Sequence, residues 1–251
     1  MDIGLMVEGQ NGLTWERWIH ICQLTERLGF PSLFRSDHYF IGQERDSLET
    51  YISLAVAARE TSTIRFGILV SPITFRSPVD TGRMAAQIDL LSGGRLALGI
   101  GAGWNEPEHH AYGIPFPSRA ERSDRLEEAI GVMRAMWGLG PVDFDGRYYQ
   151  LHDADPHPKP GAGRPWLIIG GSGPNRTLRS VARYADEWNA VNANLERLAE
   201  RNQTLAEHCE VEGRDPASIK RSVMTFGLVG PNEAAVARAA IRPRRSLAEA
   251  S

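Results

Sequence analysis

Gly93-Gly94-Arg95-Leu96-Ala97-Leu98-Gly99-Ile100-Gly101-Ala102-Gly103-Trp104-Asn105-Glu106 is the stretch that decides the fold of this chain. Leu96, Ala97, Leu98 and Ile100 form an apolar run too short for a helix, bounded by glycines on both sides. Such a run reads as a strand buried on both faces. Beyond it, Gly101 and Gly103 present bare backbone just before Trp104, Asn105 and Glu106 bring aromatic and polar groups. A buried strand that opens in this way suits a binding site at the end of a parallel sheet.

Working outward, the same unit recurs. Upstream, Ile3–Val7, Ser32–Phe34 and Arg65–Val70 read as short strands, the last closed by Ser71-Pro72. Between them lie helices: one capped by Thr14 with a stripe of Trp15, Trp18, Ile19, Cys22 and Leu28, one over Thr50–Glu60, and one opened by Ser77-Pro78 and closed by Gly93-Gly94. Downstream, Ser118-Arg119-Ala120-Glu121 is a capping box for a helix with Leu126, Ile130, Met133 and Trp137 on one side. Residues 138–165 read as an insertion with a small hairpin over the mouth of the sheet, so that variable loops such as this one would line the pocket. Trp166–Ile169, Glu187–Val191 and Ser222–Val229 continue the strands, with helices ending at Tyr184 and Gly213. Strand and helix alternate about every 30 residues, the rhythm of βα units and a parallel sheet. No eighth strand is legible after residue 230, where an alanine-rich run leads into a basic tail.

Composition narrows the function. The chain has 251 residues, 42% hydrophobic and 24% charged, with net charge -3, which fits a soluble globular protein and speaks against nucleic acid as a partner. No apolar stretch is long enough to span a membrane and no leader pattern opens the chain, so a cytoplasmic protein is expected. Cys22 and Cys209 show neither metal nor redox spacing and read as buried thiols.

Several motifs carry chemistry. Gly99-Ile-Gly101-Ala-Gly103 lacks the immediately following helix that a dinucleotide fingerprint needs. Gly170-Gly171-Ser172-Gly173-Pro174 follows a strand and opens a helix, so its amides and the Ser172 hydroxyl favour an anion such as phosphate, beside the plainer reading of a tight turn. Asp37-His38 closes the second strand as either a proton-transfer histidine, its orientation influenced by the aspartate, or a solvated loop pair. His109-His110 with Glu106 and Glu108 lacks metal-ligand spacing, and no metal is expected. Arg122 stands where a helix start could reach an anion.

With these residues in view, the chain resembles the bacterial luciferase-like monooxygenase superfamily, most closely its branch of oxidoreductases that use coenzyme F420. The resemblance rests on Glu8–Trp15, Phe34–His38, Gly94–His110, Arg119–Ala129, Ile169–Gly173 and Tyr184–Asn189 in that order and spacing. It implies an α/β fold of the (β/α)8 TIM-barrel type, one domain over residues 1–230, with a divergent tail at 231–251 and the eighth strand lacking because the C-terminus is truncated or altered. It also implies His38 as the proton-transfer residue, with Asp37 beside it as a cofactor contact. Val70-Ser71 would form a non-proline cis peptide that bulges behind the cofactor ring, Asn105 and Glu108 would lie near that ring, and Gly170, Gly171, Ser172 and Gly173 would hold the phosphate. Arg122 and Ser123 would be further cofactor contacts. Some members place an acidic residue soon after the Gly-x-Gly that ends the fourth strand, where this chain has Trp104 and Asn105. The implied activity is hydride transfer between a deazaflavin and a small organic substrate. An FMN-dependent monooxygenase and a truncated, non-catalytic binding remnant are the alternatives, and a homodimer is one assembly the resemblance allows.

Overall fold

A computed structural model of the chain describes residues 1–43, 45–161, 163–191, 194–227, 230–234 and 236. β1 (Leu5–Val7) leads into α1 (Trp15–Arg27), whose first turn is closed by the Thr14 hydroxyl accepting from the Arg17 N–H. Trp18 and Cys22 are buried on this helix as the stripe requires, whereas Trp15 and Leu28 remain 40% and 63% exposed. β2 (Ser32–Arg35) and α2 (Thr50–Glu60) follow. The third strand does not run through to Val70. It stops as β3 (Arg65–Ile68), breaks at a cis peptide between Leu69 and Val70, and resumes as β4 (Ser71–Pro72). The closing Ser71-Pro72 pair is therefore itself strand.

α3 (Pro78–Ser92) begins with Ser77 accepting from the Val79 and Asp80 amides and ends at Gly93, whose φ of 68° lies in the left-handed region that glycine adopts freely. β5 (Leu96–Gly101) is buried at every residue. The short α4 (Glu106–Ala111) comes next, then α5 (Arg119–Trp137), with Leu126, Ile130, Met133 and Trp137 all buried. Half of the capping box forms: Ser118 accepts from the Glu121 N–H, but the Glu121 carboxylate turns to Arg125. After α5 the chain turns through Gly138, the 97% exposed Leu139 and Gly140. The antiparallel hairpin β6 (Val142–Asp145) and β7 (Gln150–Ala154) follows. β8 (Trp166–Gly170), α6 (Thr177–Tyr184), β9 (Glu187–Val191), α7 (Leu195–Val211) and β10 (Lys220–Met224) complete the described elements. Leu228 and Val229, expected at the end of the last strand, and the tail from Ala237 lie outside the described residues.

All pairings in the main sheet are parallel, in the order β1-β2-β3-β5-β8-β9-β10 with β4 continuing along β5. This is the curved wall of a (β/α) barrel, and among the described residues β1 and β10 are its two edges. Its two faces differ sharply. Phe66, Ile68, Leu96, Leu98, Ile100, Leu167, Ile169, Trp188 and Ala190 join the helices in the main core. Side chains alternate along a strand, so Gly67, Ala97, Gly99, Gly101 and Gly170 fall on the inner face, beside Phe34, Ile168, Glu187 and Asn189.

The hairpin does not lie across the mouth. It is fastened to the outward side of α5: Glu128 accepts from the Arg147, Tyr148 and Tyr149 amides, and Phe144 closes on Gly131. The reason is topological. An insertion placed after a helix and before a strand packs on that helix, whereas the loops that line the mouth leave the strands' C-terminal ends.

Candidate active site

The strand ends bring three groups of residues together at the mouth. The first is a bulge. The cis peptide lies between Leu69 and Val70, one bond earlier than the Val70-Ser71 position implied by the resemblance. It turns the Val70 side chain onto the inner face, where its methyls fill a notch made by Gly99, Gly101 and Gly170. A Cβ on Gly101 would lie 2.9 Å from Val70 Cγ2, and one on Gly170 would lie 2.7 Å from Val70 Cγ1. On Gly99 a Cβ would strike the Ile68 carbonyl oxygen at 1.9 Å. The glycines of the opening stretch therefore clear room for Val70. Gly103, with φ of 81°, serves a turn packed on Pro72, Thr74 and His109.

Behind the bulge, Asp37 ties β2 to β4. Its carboxylate accepts from Ser71 Oγ at 2.6 Å and from Arg76 at 2.6 and 3.2 Å, and Arg76 also donates to Glu49 at 2.7 Å. Burial alone would raise the Asp37 pKa, but the Arg76 charge and the hydrogen bonds from Arg76, Ser71 and Thr50 outweigh it and hold the carboxyl below its ordinary range. Burial lowers and Asp37 raises the Arg76 pKa, with a net rise. Asp37 is thus a buried structural anion and not a ligand exposed at the mouth. Nor does its carboxylate orient His38. Arg35, also fully buried, points to the helix side and is satisfied by Ser53 Oγ, Leu48 O and Ser36 O.

The partner of His38 is Glu108. His38 Nδ1 lies 2.9 Å from Glu108 Oε2, and Glu108 Oε1 accepts from the Phe40 N–H at 3.0 Å. Glu108 is fully buried, whereas the side chain of its partner His38 is 12% exposed. Asn105 donates from Nδ2 to the Phe40 carbonyl at 3.1 Å, which pins the same loop. α4 carries this arrangement, and the sequence reading missed it. Its signal was present in Pro107 at the first turn with Glu106 and Glu108, at a helix too short for periodicity to register. His109, on the same helix, has no free nitrogen: Nδ1 faces the Asn105 carbonyl at 2.8 Å and Nε2 faces Thr74 Oγ1 at 2.6 Å. Among the described residues no cluster of three or more His, Cys, Asp or Glu could hold a metal. Trp104, 48% exposed, sets its ring against His38 at 5.5 Å in a T-shaped contact.

The third group follows β8. The Gly171 N–H is spent on the Asn189 carbonyl, and its own carbonyl accepts from Trp188 Nε1. Among the described residues the Ser172 and Gly173 amides and the Ser172 hydroxyl make no hydrogen bond within the chain. Two groups the sequence reading did not single out converge here, because a Cβ on Gly173 would lie 2.9 Å from Thr177 Oγ1 and 3.7 Å from an Arg119 guanidinium nitrogen. Arg122 stacks over Phe116 at 3.8 Å, donates to the Pro117 carbonyl, and keeps a buried Nε without a partner in the chain. The Ser123 hydroxyl turns back to the Arg119 carbonyl of its own helix. The amides of Ser172 and Gly173, the Ser172 hydroxyl and Arg119 are donors of the kind that can hold an anion, whereas the Arg122 contacts lie with Phe116 and Pro117.

A relative named F420-dependent hydroxymycolic acid dehydrogenase, from Mycobacterium tuberculosis, is 31% identical over 228 residues, which are 90% of this chain and 62% of that protein. The chain thus spans about three fifths of that relative's length. Among solved structures, an F420-dependent secondary alcohol dehydrogenase bound to an F420-acetone adduct superposes with a TM-score of 0.80 at 23% identity, over 89% of this chain and 68% of that one. A riboflavin lyase with modified FMN and riboflavin gives 0.83 at 20% identity, over 94% and 65%. The profile of the luciferase-like monooxygenases matches residues 1–250, and the chain belongs to that family.

Proposed function

We propose that this chain is an oxidoreductase of the deazaflavin-dependent branch, moving a hydride between coenzyme F420 and a small organic substrate. The observation that carries the reading is His38, held on one edge by a buried carboxylate at a strand end and partly open on the other. The residues fit the group. Val70 would support the ring, and Ser172, Gly173, Thr177, Arg119 and Arg122 would receive the phosphate. When bound, the deazaflavin supplies a carbon centre that exchanges a hydride. The chain supplies the rest: Val70 blocks one face, the third group anchors the anion, and His38 moves the proton that accompanies the hydride.

The flavin alternative is supported by the likeness to the riboflavin lyase structure that holds modified FMN. A mass measurement of the co-purifying cofactor, with its absorbance at about 420 nm for a deazaflavin or about 450 nm for a flavin, separates the two. Saturable binding of F420 by a cooperatively folding sample is the expected result. A folded sample that binds neither cofactor would overturn the enzyme reading and leave a binding remnant.

A further inference from the structure

Glu8 stands just past the C-terminal end of β1, and the hydride chemistry gives it no task. Leu5 and Val7 pack against the main core, so alternation along the strand turns Glu8 to the inner face. Gly9 shows the same sense, since a Cβ there would lie 2.4 Å from Arg35 Nη2 on the helix side. Val7 pairs with Arg35 in the parallel register, which sets Glu8 level with Ser36, at the end of the sheet that carries His38. A directed chain of hydrogen bonds runs through this corner. The Gly9 N–H donates to Ser36 Oγ at 3.2 Å, Ser36 Oγ donates to Gln10 Oε1 at 2.9 Å, and Gln10 Nε2 donates to Glu8 Oε2 at 2.9 Å. The first donor is backbone and cannot be reversed, so the Ser36 proton turns to the Gln10 carbonyl and the Gln10 amide nitrogen to Glu8. Gln10 and Ser36 are both buried, whereas Glu8 keeps part of its surface. The chain ends on a group that only accepts, and Glu8 Oε1 takes no hydrogen bond among the described residues. Glu8 makes no ion pair among them either, whereas Asp37 and Glu49 rest on Arg76 and Glu108 on His38.

We infer that Glu8 is a specificity-determining residue, an acceptor that holds a hydrogen-bond donor carried by the substrate, a hydroxyl or an ammonium group. A carboxylate braced on one oxygen by a buried amide and bare on the other takes its next donor from outside the chain. The C-terminal ends of barrel strands are where substrate is met. β2 lies between β1 and β3, so Glu8 and the bulge after β3 stand two strand spacings apart, about 10 Å. The donor held by Glu8 therefore sits away from the carbon that exchanges the hydride, and Glu8 moves no proton in the reaction. It selects, because a site built to receive a donor rejects the analogue that lacks one. That the bound molecule is a substrate rests on the oxidoreductase reading; that Glu8 is an open acceptor does not.

The full chain, ¹⁵N-labelled and without cofactor, supplies the test, with the Gln10 side-chain amide as reporter because it touches Glu8. Its signals are assigned by their loss in Gln10→Met. Probes of equal size are titrated at neutral pH: n-butylamine, which is protonated there, butan-1-ol, and diethyl ether, which has no donor. The expected result is a saturable shift of the Gln10 amide with n-butylamine or butan-1-ol, at an affinity about tenfold or more above that of the ether, and its loss in Glu8→Ala. Tighter binding of the amine assigns an ammonium group to the substrate, and tighter binding of the alcohol assigns a hydroxyl. An equal response to the ether, or no saturable shift with either donor, would overturn the inference on the wild type alone, even if the variant does not fold. So would a response that survives Glu8→Ala. Titration with F420 gives a second readout. Glu8→Ala should keep the cofactor Kd within about twofold, and a loss of about tenfold or more would make Glu8 a cofactor contact and overturn the substrate assignment. Donor-dependent shifts in a protein that binds no deazaflavin uphold the acceptor and overturn the oxidoreductase reading alone.

Discussion

His38 and Val70 illustrate how single side chains set the mouth. Replacing His38 by alanine removes the one partly open titratable ring held by Glu108. Turnover should fall by about 10²–10⁴-fold with cofactor affinity largely kept, as steady-state kinetics and titration would show; unchanged turnover would remove His38 from the mechanism. Val70 makes a packing prediction. In Gly170→Ala the new methyl would meet Val70 Cγ1 at 2.7 Å, Cγ2 at 3.2 Å and Cβ at 3.6 Å. Overpacking of this kind costs about 1–3 kcal/mol. In a Val70→Ala background both Cγ contacts vanish, so the two substitutions should be strongly non-additive in urea unfolding, and additivity would refute the notch. The sequence points to His38 and to the Gly170–Gly173 loop because each sits beside a local signal, a strand end or a glycine run. It did not reveal that Glu108 serves His38, since the pair is 70 residues apart and only the sheet brings them together. The ion pair of Asp37 is not legible for the same reason: its partner Arg76 lies 39 residues away.

At the scale of elements, the joint between α1 and the start of β3 offers a pH test. Glu26, near the end of α1, accepts from the Ser62, Thr63 and Ile64 amides and the Thr63 hydroxyl at 2.6 to 3.2 Å. Burial acts to raise its pKa, but these hydrogen bonds prevail and lower it to about 2. A carboxyl depressed on folding contributes stability above its unfolded value, about 4.3 for glutamate, and loses it as pH falls through the folded value. The Tm advantage of the wild type over Glu26→Gln should therefore hold above about pH 5 and shrink between about pH 4.3 and 2; an advantage independent of pH would refute the linkage. Most elements were legible because caps and periodicity are local: Thr14, Ser77 and Asn194 all accept from the first turn, as their residue types predict. The break at Leu69-Val70 was not legible as a break, because an apolar run looks continuous whether or not the backbone bends within it. The hairpin was recognised but misplaced, since sequence shows that a segment is inserted and not which helix receives it.

At the scale of the molecule, the wall is unequally held. β5 lies in the middle of the sheet and is buried throughout, while β1 and β10 each pair on one side among the described residues. Amide exchange should be slowest across Leu96–Gly101 and faster in Leu5–Val7 and Lys220–Met224, and equal protection at the edges would contradict a sheet that begins at β1 and ends at β10. The alternation of βα units made the architecture readable from the sequence. Long parallel pairings, such as Ile100 with Ile169, follow from that alternation and not from any local motif.

The turn after α5 has a practical consequence. Leu139 is 97% exposed, and the 19 residues of α5 put it about 28 Å along the helix from Arg119, beside the Gly173 loop. Both native cysteines are buried, and burial chiefly, with some help from Glu60, pushes the Cys22 thiol up to about 12. A Leu139→Cys protein therefore carries a single addressable thiol. A fluorescent dye attached there would stand within energy-transfer range of a chromophore seated against Val70, and quenching of that dye would report occupancy in real time without any turnover.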